Sequence, residues 1–528
     1  MMNEGVAVPE AVPVVAAPPE QKPPRIKTLT LCNFRAFAGQ SPVSIPVKGK
    51  NVVIFGENGS GKSSIFHAMD GLFSIADKYP EDRRKRLANA SNIFTRADPD
   101  SVSVTVEFED EVKETWNLRG HPCNSFAAAG GSVSRVYAGA YRKAILDYRS
   151  ILETNFRHSS GEINLFDVCV TTALRDYRTA YDGSEITLKE LWDRLLVRLI
   201  PGVSRHVDPL RDAQLLSFNQ GLREALQELV PTINAIMLQL GWPDVEIEQF
   251  DFSGIRYNRE HQKRHRDYLS KYVKPILKFN GQTVTRPHLF LNEARLSALA
   301  LAIYFAGREL CAKTNLADVP KIMVLDDIVI SFDQSNRLPL LDLLAARFKD
   351  WQIFLLTHDR VWFDMTRSYH RRHQADRYWD YWELHSERDL KLPPVPTQVS
   401  SSAPKQAIDI AEEFLKRGHV NAAGNAARIA TERALREFCD TKRVPIGYKN
   451  EIEKIPFSDL LEGAKRWSDG AAGGVYSDAI SDVKMYSEIL LNKLSHGGTP
   501  TLTEHEVRAA IVAVRSVLTA LKVTSKFE

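Results

Sequence analysis

The segment NVVIFGENGSGKSS, residues 51–64, decides the fold of this chain. Its first five residues, Asn51 followed by four apolar residues, are typical of a buried strand. Residues 56–63 then match the pattern GxxxxGK[ST] at every defined position. Apolar side chains continue at helical spacing, at Ile65, Phe66, Met69, Leu72 and Phe73. A strand, a glycine-rich loop and a helix in this order predict a loop that wraps phosphate groups.

Each residue type in the loop suits this chemistry. Glycines let backbone N–H groups approach the phosphates, and the helix N-terminus adds a partial positive charge. Lys62 is predicted to reach the β- and γ-phosphates, and the Ser63 hydroxyl to ligate Mg²⁺. The residues predicted to contact the nucleotide are Gly56, Glu57, Asn58, Gly59, Ser60, Gly61, Lys62, Ser63 and Ser64. The sequence therefore predicts ATP and Mg²⁺ as cofactors.

Two carboxylates at the end of a later strand complete the predicted site. Residues 322–325 are four consecutive apolar residues, and Asp326 and Asp327 follow them directly. In open α/β sheets, ligands bind at the carboxyl ends of the strands. Asp326 is predicted to bind Mg²⁺, directly or through water, and Asp327 to orient or deprotonate the attacking water. The simpler interpretation is an Asp pair that caps the next element.

The order of elements predicts an α/β fold with a helical addition. Strands and helices alternate through residues 26–388, and the apolar, non-alternating strands at 322–325 and 353–356 favour a mostly parallel sheet. Residues from about 140 to 245, including Leu146 and Tyr148, are predicted to form a mostly helical insert. The insert has no sustained heptad seam, which argues against a long coiled coil.

Composition shifts mark the predicted domain boundaries. Residues 1–25 are rich in Pro and Ala and are predicted to be a disordered tail. Residues 389–405, which include LPPVPTQVSSSAP, are predicted to be a linker. Residues 406–528 lack strand-like runs and are predicted to form a small all-α domain.

Overall composition restricts the class of protein. The 528 residues carry a formal charge of only +3, which by itself does not indicate a nucleic-acid partner. Five scattered cysteines form no CxxC pair, so neither a zinc site nor a disulfide framework is predicted. No apolar run approaches the ~20 residues that cross a bilayer. We expect a cytoplasmic protein without a membrane partner.

The order of motifs resembles one family. It is similar to ABC-type ATPase heads of the SMC/RecF/OLD-like class, AAA family ATPases of DNA repair or anti-phage defence. The matching segments are NFRAF at 33–37, GENGSGKSS at 56–64, FLNEARLSALA at 290–300, VLDD at 324–327, SFD at 331–333 and LTH at 356–358. The resemblance covers about residues 26–388.

The resemblance implies a homodimer, or a higher homo-oligomer, with two ATP molecules between two heads. It implies that Asn292 caps the helix after it and faces the γ-phosphate held by the other head. The sequence departs from the family's LSGG pattern, since Asn292, Glu293 and Ala294 replace Ser and two Gly residues. This departure puts the hydrolysis rate in doubt. A plain amphipathic helix is the alternative interpretation.

Further residues carry over by position. His358 resembles the switch histidine that contacts the γ-phosphate, although a lone His after a strand is more often structural. Asp333 resembles the residue that links the two sites across the dimer, and Asp327 stands where many ABC ATPases have Glu. No segment matches the family's glutamine loop convincingly.

Weaker signals concern partners. Residues 256–278 are basic and contain three tyrosines, which suits nucleic-acid phosphates and stacking but also suits a solvated connector. Residues 367–377 form a second, shorter basic patch with the same two interpretations. His496 lies in NKLSHG, which faintly resembles the HEPN-type helical ribonucleases, but Asn492 stands where their Arg would be.

The sequence leaves three functions open. The first is an ATPase that dimerises on ATP and acts on DNA or controls a nuclease-like partner, in DNA repair or antiviral defence. The second is a nucleotide-gated scaffold with little turnover, whose separately encoded effector does the chemistry. The third is a self-contained nuclease around His496, against which the missing Arg counts. A transporter ATPase is disfavoured by the RecF-like motifs.

Overall fold

A computed structural model describes most of the chain. The described residues are 23–74, 80–94, 101–124, 134–140, 142–147, 163–197, 209–258, 267–284, 290–312, 319–329, 332, 334–387, 389–399, 404–416, 418–446, 455–470, 474, 476–495 and 503–521. Of the predicted tail, only residues 23–25 fall within this part. Arg25 is held there, donating hydrogen bonds to the carbonyl oxygens of Gly49 and Trp351.

A six-stranded sheet forms the centre of the fold. Its strands, in spatial order, are β17 (Val395–Gln398), β16 (Trp379–His385), β3 (Asn51–Gly56), β15 (Gln352–Thr357), β14 (Ile322–Asp326) and β6 (Ala144–Asp147). All are parallel except β17, which pairs antiparallel with β16. Every residue of β14 and β15 is buried, as expected for strands covered on both faces. The mostly parallel α/β prediction is confirmed.

A second, antiparallel sheet packs with the phosphate-loop helix in one core. Its strands are, in spatial order, β2 (Val43–Pro46), β1 (Ile26–Cys32), β4 (Ser103–Phe108) and β5 (Lys113–Asn117). The helix α1 (Lys62–Leu72) buries Ile65, Met69 and Leu72 in this core. Trp116 of β5 lies so close to α1 that a side chain at Gly71 would clash with its ring. Tight packing thus fixes the helix that follows the loop.

A second core joins the insert to the later helices. Its strands are the hairpin β7 (Arg178–Tyr181) and β8 (Ser184–Thr187), the pair β10 (Arg256–Tyr257) and β11 (Tyr268–Leu269), and the sheet of β9 (Val245–Asp251), β12 (Lys274–Phe279) and β13 (Gln282–Val284). Its helices are α4 (Leu188–Val197), α5 (Pro209–Gln239), α6 (Glu293–Cys311), α7 (Gln334–Arg347) and α8 (Arg360–Arg372). Short elements complete this part of the chain: α2 (Pro80–Asn89), α3 (Arg135–Ala140) and helical turns at Phe166–Val168 and Cys169–Ala173.

The described C-terminal residues are helical. The helices are α9 (Pro404–Lys416), α10 (Val420–Thr441), α11 (Phe457–Gly470), α12 (Ser477–Ser495) and α13 (Glu504–Leu521). They share a core of their own in which alanines of α10, such as Ala423, Ala427 and Ala430, are fully buried. Small side chains let the helices approach closely. A helical C-terminal region is therefore confirmed, while its division from the head as a domain stays a prediction.

The structure corrects three details of the sequence analysis. Leu146 was expected in a helix but lies in β6, because this segment alternates buried and half-buried residues and pairs with β14. The insert also contains the hairpin β7–β8, so it is less uniformly helical than predicted. The predicted linker includes β17, whose backbone hydrogen-bonds with β16 at the sheet edge. No helix among the described residues is both long and apolar enough to cross a membrane.

Candidate functional site

The predicted phosphate loop connects β3 to α1 and contains two glycines with positive φ angles. Gly59 and Gly61 have φ values of 86° and 101°, which favour glycine, and Gly61 begins the helix. The N–H of Ser60 donates to the carbonyl oxygen of Glu57 at 3.1 Å, which closes the loop. A side chain at Gly56 would meet the Ser60 hydroxyl. The glycines are therefore needed for the loop's shape.

Lys62 is buried at the base of this loop. Its Nζ donates to the carbonyl oxygens of Gly56 at 2.6 Å and of Glu57 at 3.0 Å. Burial lowers the pKa of Lys62, and the nearby Asp327 and Asp326 carboxylates oppose that shift. The ammonium group is thus held in the loop with two backbone partners. Glu57, Asn58 and Ser63 are exposed around it.

The loop is tied to the NFRAF segment before it. The Ser64 hydroxyl accepts a hydrogen bond from the N–H of Ala36 at 3.2 Å. Asn33 and Arg35 adopt left-handed backbone, with φ values of 48° and 50°. Asn92 holds that turn by donating to the carbonyl oxygen of Arg35 at 2.6 Å. This second segment therefore has a fixed position beside the loop.

Asp326 ends β14 directly beneath Ser63. The Ser63 hydroxyl donates to Asp326 Oδ2 at 3.3 Å, while Oδ1 is buried without a hydrogen-bond partner. Burial and the neighbouring Asp327 carboxylate raise the pKa of Asp326 to about 7, against the opposing effect of Lys62. A buried carboxylate of this kind gains most from an added cation.

Asp327 and His358 lie side by side. Asp327 has a φ of 53°, and its N–H donates to the carbonyl oxygen of Leu356 at 2.9 Å. Its Oδ1 accepts from the N–H of His358 at 2.9 Å, and His358 Nδ1 also lies 2.9 Å from Oδ1. The parallel pairing of β14 with β15 brings these two strand ends together. The structure thus joins Lys62, Ser63, Asp326, Asp327 and His358 in one site.

One acidic residue of this site was missed from the sequence. Asp147 ends β6 in register with Asp326, and its charge contributes to the raised pKa of Asp326. Lys143, at the start of this segment, donates to Asp70 of α1 at 2.9 Å and so fixes β6 against the loop helix. The signal was present, since Asp147 follows an apolar alternation, but the segment was assigned to a helix.

Asn292 lies in a different part of the head. Its side chain caps α6 by accepting from the N–H of Arg295 at 3.0 Å, as the sequence predicted. Both Asn292 and Glu293 are exposed, and α6 belongs to the second core rather than to that of α1. Within one chain, the described contacts do not join Asn292 to the phosphate loop. Ser331, Asp333 and His496 lie outside the described residues.

A cavity of about 620 Å³ opens beside the loop. It is bounded by the NFRAF segment, by Gly59 and by the segment that follows β16. Its lining includes Phe34, Arg35, His67, Asn92, Glu387 and Pro394. Burial, followed by the charge of Arg35, lowers the pKa of His67. The cavity therefore combines aromatic, cationic and amide side chains within reach of the loop.

The residues present fit a phosphate–Mg²⁺ group. The described residues contain no cluster of three or more His, Cys, Asp or Glu side chains suited to holding a metal alone. Mg²⁺ often takes only one or two protein ligands and completes its shell with phosphates and water. Ser60 Oγ and Asp326 Oδ1 are buried without hydrogen-bond partners and are oxygen atoms of the required kind. The Ser63 hydroxyl lies 3.3 Å from Asp326 Oδ2, so Ser63 and Asp326 are the candidate metal ligands.

Comparisons with known proteins agree with this location. Residues 28–192 match the family model described as an AAA domain. No curated protein matches the chain.

Solved structures of related folds also match the chain. An Smc head domain from Pyrococcus furiosus, bound to the C-terminal domain of ScpA, is 16% identical with a TM-score of 0.37, over 74% of this chain and 99% of that one. The SMC head domain from Thermotoga maritima is 16% identical with a TM-score of 0.32, over 71% and 99%. The recombination mediator RecF with a bound ATP analogue is 11% identical with a TM-score of 0.37, over 72% and 100%.

The loop motif lies at the carboxyl end of a central parallel strand, inside the segment that matches the AAA domain. The acidic strand end lies beside it, as the motif order required. Residues 28–192 are accordingly similar to an AAA domain, and the loop motif of this chain lies within them.

Proposed function

We propose that the chain binds ATP with Mg²⁺ and hydrolyses it. One observation carries the proposal: the fold brings the loop lysine, a buried carboxylate and an Asp–His pair to one sheet edge from three separate chain segments. The buried Asp326 Oδ1 and Ser60 Oγ have no hydrogen-bond partner, and ligand atoms would supply one. In phosphoryl transfer, the protein contributes mainly positioning and electrostatic stabilisation.

Each residue then has a defined task. Lys62 exchanges its loop carbonyl partners for the β- and γ-phosphate oxygens, and Ser63 and Asp326 hold the metal. When bound, Mg²⁺ supplies the positive charge that neutralises the phosphate oxygens. Asp327 orients the water and accepts its proton as the water oxygen bonds to the γ-phosphorus and the bond to ADP breaks. His358 holds Asp327 in place, as their 2.9 Å contact suggests.

The cavity beside the loop is the natural place for the nucleoside. Gly59 and the exposed Phe94 ring both line it, so a nucleotide with phosphates in the loop points its base toward Phe94. An aromatic face and amide groups suit a purine ring. This assignment also explains why residues 33–37 are tied so firmly to the loop.

The exposed position of Asn292 supports the proposal that the chain dimerises on ATP. The exposed start of α6 is separate from the loop in its own chain, so a second copy is the source that would bring it to the γ-phosphate. Because Glu293 follows Asn292, we expect a slower ATPase than in heads with glycines there. Light scattering with and without ATP measures whether the protein is a monomer or a dimer.

The decisive experiment compares wild type with Lys62→Ala. We expect loss of ATP binding and of turnover, because no other loop residue carries a charge that neutralises phosphate. Near-normal turnover in the variant would refute the nucleotide assignment. Tight ATP binding by the wild type with turnover near zero would instead favour the gated scaffold. Lys465→Ala, on α11, serves as a matched control for loss of one lysine.

We further propose that ATP-driven closure acts on DNA or on a separately encoded effector, in DNA repair or anti-phage defence. The motif order supports this setting. Part of the basic stretch 256–278 is described by the structure, including Arg256, Lys271 and Lys274. These side chains are of the kind that contacts DNA phosphates. The central residues Lys263, Arg264 and Arg266 lie outside the described residues.

A salt titration tests the DNA branch. If the basic stretch contacts DNA, affinity should fall by roughly one power of salt concentration per phosphate neutralised. Neutralising Lys263, Arg264 and Arg266 together should flatten that slope by up to about three units, with ATP turnover nearly unchanged. Filter binding at several salt concentrations measures the DNA affinity of the wild type and of the triple variant. No DNA affinity at low salt with ATP would leave the effector branch as first choice.

A further inference from the structure

We propose that the C-terminal helices form part of the nucleotide cavity through a Glu387–His419 contact, so that nucleotide binding and docking of these helices strengthen each other. This inference rests on the proposed function, because it assumes that a nucleotide occupies the cavity. It adds a link between the head and a helical region that the ATPase motifs do not involve.

The contact joins the cavity wall to the start of α10. Glu387 lines the cavity in the segment after β16, and its Oε1 lies 2.9 Å from His419 Nδ1. The two side chains are only 9% and 15% exposed, and neither of these buried atoms has a hydrogen-bond partner of good geometry. Each atom therefore depends on the other for its polar environment. Burial raises the pKa of Glu387, and His419 opposes that shift.

A second contact runs from the same strand to the same helix. Asn425 of α10 donates to Glu383 Oε2 at 3.2 Å, and Arg360 donates to Glu383 Oε1 at 2.7 Å. Glu383 is paired in register with Phe55, the residue before the phosphate loop. Arg360 also lies over the Phe55 ring, 5.2 Å from its centroid. The C-terminal helices thus reach the strand pair that carries the loop.

Leu384 and Pro394, which lie before and after Glu387 in the sequence, are close to the loop itself. A side chain at Gly61 would lie 3.1 Å from Pro394 and 3.6 Å from Leu384. Pro394 and Leu392 also line the cavity. Displacing α10 would therefore release a polar anchor of a wall that lies against the loop.

The charges decide the sign of the coupling. A nucleotide in the cavity removes water from Glu387 and brings anionic phosphates to the Gly59 side. With His419 docked, the carboxylate keeps a partner that can carry positive charge. Without His419, a desolvated carboxylate would face an anionic ligand alone, which costs far more than a paired one. The docked state therefore binds ATP more tightly, and by reciprocity ATP stabilises docking.

Titration of the full-length protein with a fluorescent ATP analogue and Mg²⁺ tests the coupling. We expect His419→Ala to weaken affinity about tenfold, since it leaves a buried charged group unpaired. Glu387→Gln removes that charge, so adding His419→Ala to it should change affinity by less than about twofold. Asn425→Ala should weaken affinity a few-fold, although Asn425 is not one of the residues that line the cavity. His505→Ala, at an exposed position of α13, is the matched control and should bind as wild type.

Hydrogen exchange measures the reverse direction. ATP should slow exchange of the backbone amides at the start of α10 in the wild type and leave them unchanged in Lys62→Ala. Wild-type affinity in His419→Ala, or ATP binding that does not alter exchange at α10, would overturn the coupling alone. Absence of ATP binding by the wild type would overturn the proposed function, and the coupling with it. A circular dichroism spectrum matching wild type establishes that His419→Ala is folded.

Discussion

The two ends of the central parallel sheet treat buried polar groups in opposite ways. At the amino end, Gln352 is fully buried and uses both ends of its amide: Oε1 accepts from the N–H of Ile26 at 2.6 Å, and Nε2 donates to the carbonyls of Ile26 and Lys50 at 2.9 Å each. At the carboxyl end, Asp326 is almost as deeply buried, yet Oδ1 has no hydrogen-bond partner.

The difference separates a buried polar group that the protein satisfies by itself from one that it does not. Gln352 of β15 bonds to Ile26 of β1 and to Lys50, the residue before β3, and a buried amide with all its partners costs little to keep. Asp326 carries a carboxylate with a raised pKa beside Asp327, whose backbone is left-handed. Such groups lower the stability of the free protein, and a ligand that binds them restores it. The carboxyl end is thus incomplete in a way that the amino end is not.

The largest expected effect is on turnover at the carboxyl end. Asp327→Asn keeps the side-chain size but cannot accept the proton of the attacking water. We expect kcat to fall by about 10²–10⁴-fold, the usual contribution of a general base. ATP affinity should stay close to wild type, because Asp326 and Lys62 remain. Steady-state phosphate release and fluorescent-nucleotide titration measure the two quantities.

Asp327→Asn also has an assembly readout. ATP that is bound but not hydrolysed should hold two heads together, which light scattering detects as a persistent dimer. A wild-type rate in this variant would mean that Asp327 is not the water-orienting acid. Asp326 or Asp147 would then have to orient the water and accept its proton.

The sequence revealed the carboxyl end far better than the amino end. Residues 56–63 and the strand ending in Asp326 and Asp327 have signatures in fixed local order, because phosphate binding needs particular residue types at particular spacing. The role of Gln352 has no such signature, since its partners are 302 and 326 positions away in the chain. Only the folded sheet brings them together.

Two other features were missed for local reasons. Asp147 was missed because four residues of strand are too short to distinguish from helix by periodicity. β17 was hidden by the prolines around it, which predicted a linker, although Pro is tolerated on edge strands. The Asn292 cap was predicted correctly, because a cap depends on residues within one turn.

The next effect concerns stability at the amino end. Gln352→Leu leaves the buried N–H of Ile26 and the carbonyls of Ile26 and Lys50 without these partners. We expect a loss on the order of 2–4 kcal/mol in the stability of the head. Thermal unfolding followed by calorimetry should show the head transition at lower temperature, with ATP affinity unchanged at a temperature where the head is folded.

A control variant makes that result specific. Gln227→Leu, on the exposed face of α5, changes the same residue type and should leave unfolding unchanged. Equal melting of Gln352→Leu and wild type would show that the amide contacts at the amino end contribute nothing net. The contrast between the two sheet ends would then be lost.

The smallest expected effect has the opposite sign. Asp326→Asn removes a carboxylate whose folded-state pKa is raised to about 7, while its ordinary value is 3.8. Between about pH 4 and pH 7 the folded state binds a proton that the unfolded state has lost, so wild-type stability falls as pH rises through this window. Above pH 7 the free-energy cost of burying the ionised Asp326 carboxylate is fully present, and below pH 4 it is absent.

We therefore expect Asp326→Asn to stabilise the nucleotide-free protein by about 1–2 kcal/mol at pH 8 and hardly at all at pH 4. Thermal unfolding at both pH values measures the difference, with Asp482→Asn at an exposed position of α12 as the control. Adding ATP and Mg²⁺ should reverse the order, because only the wild type gains a bound metal. A destabilised variant at pH 8 without ligand would show that the Asp326 carboxylate contributes to the fold as Gln352 does.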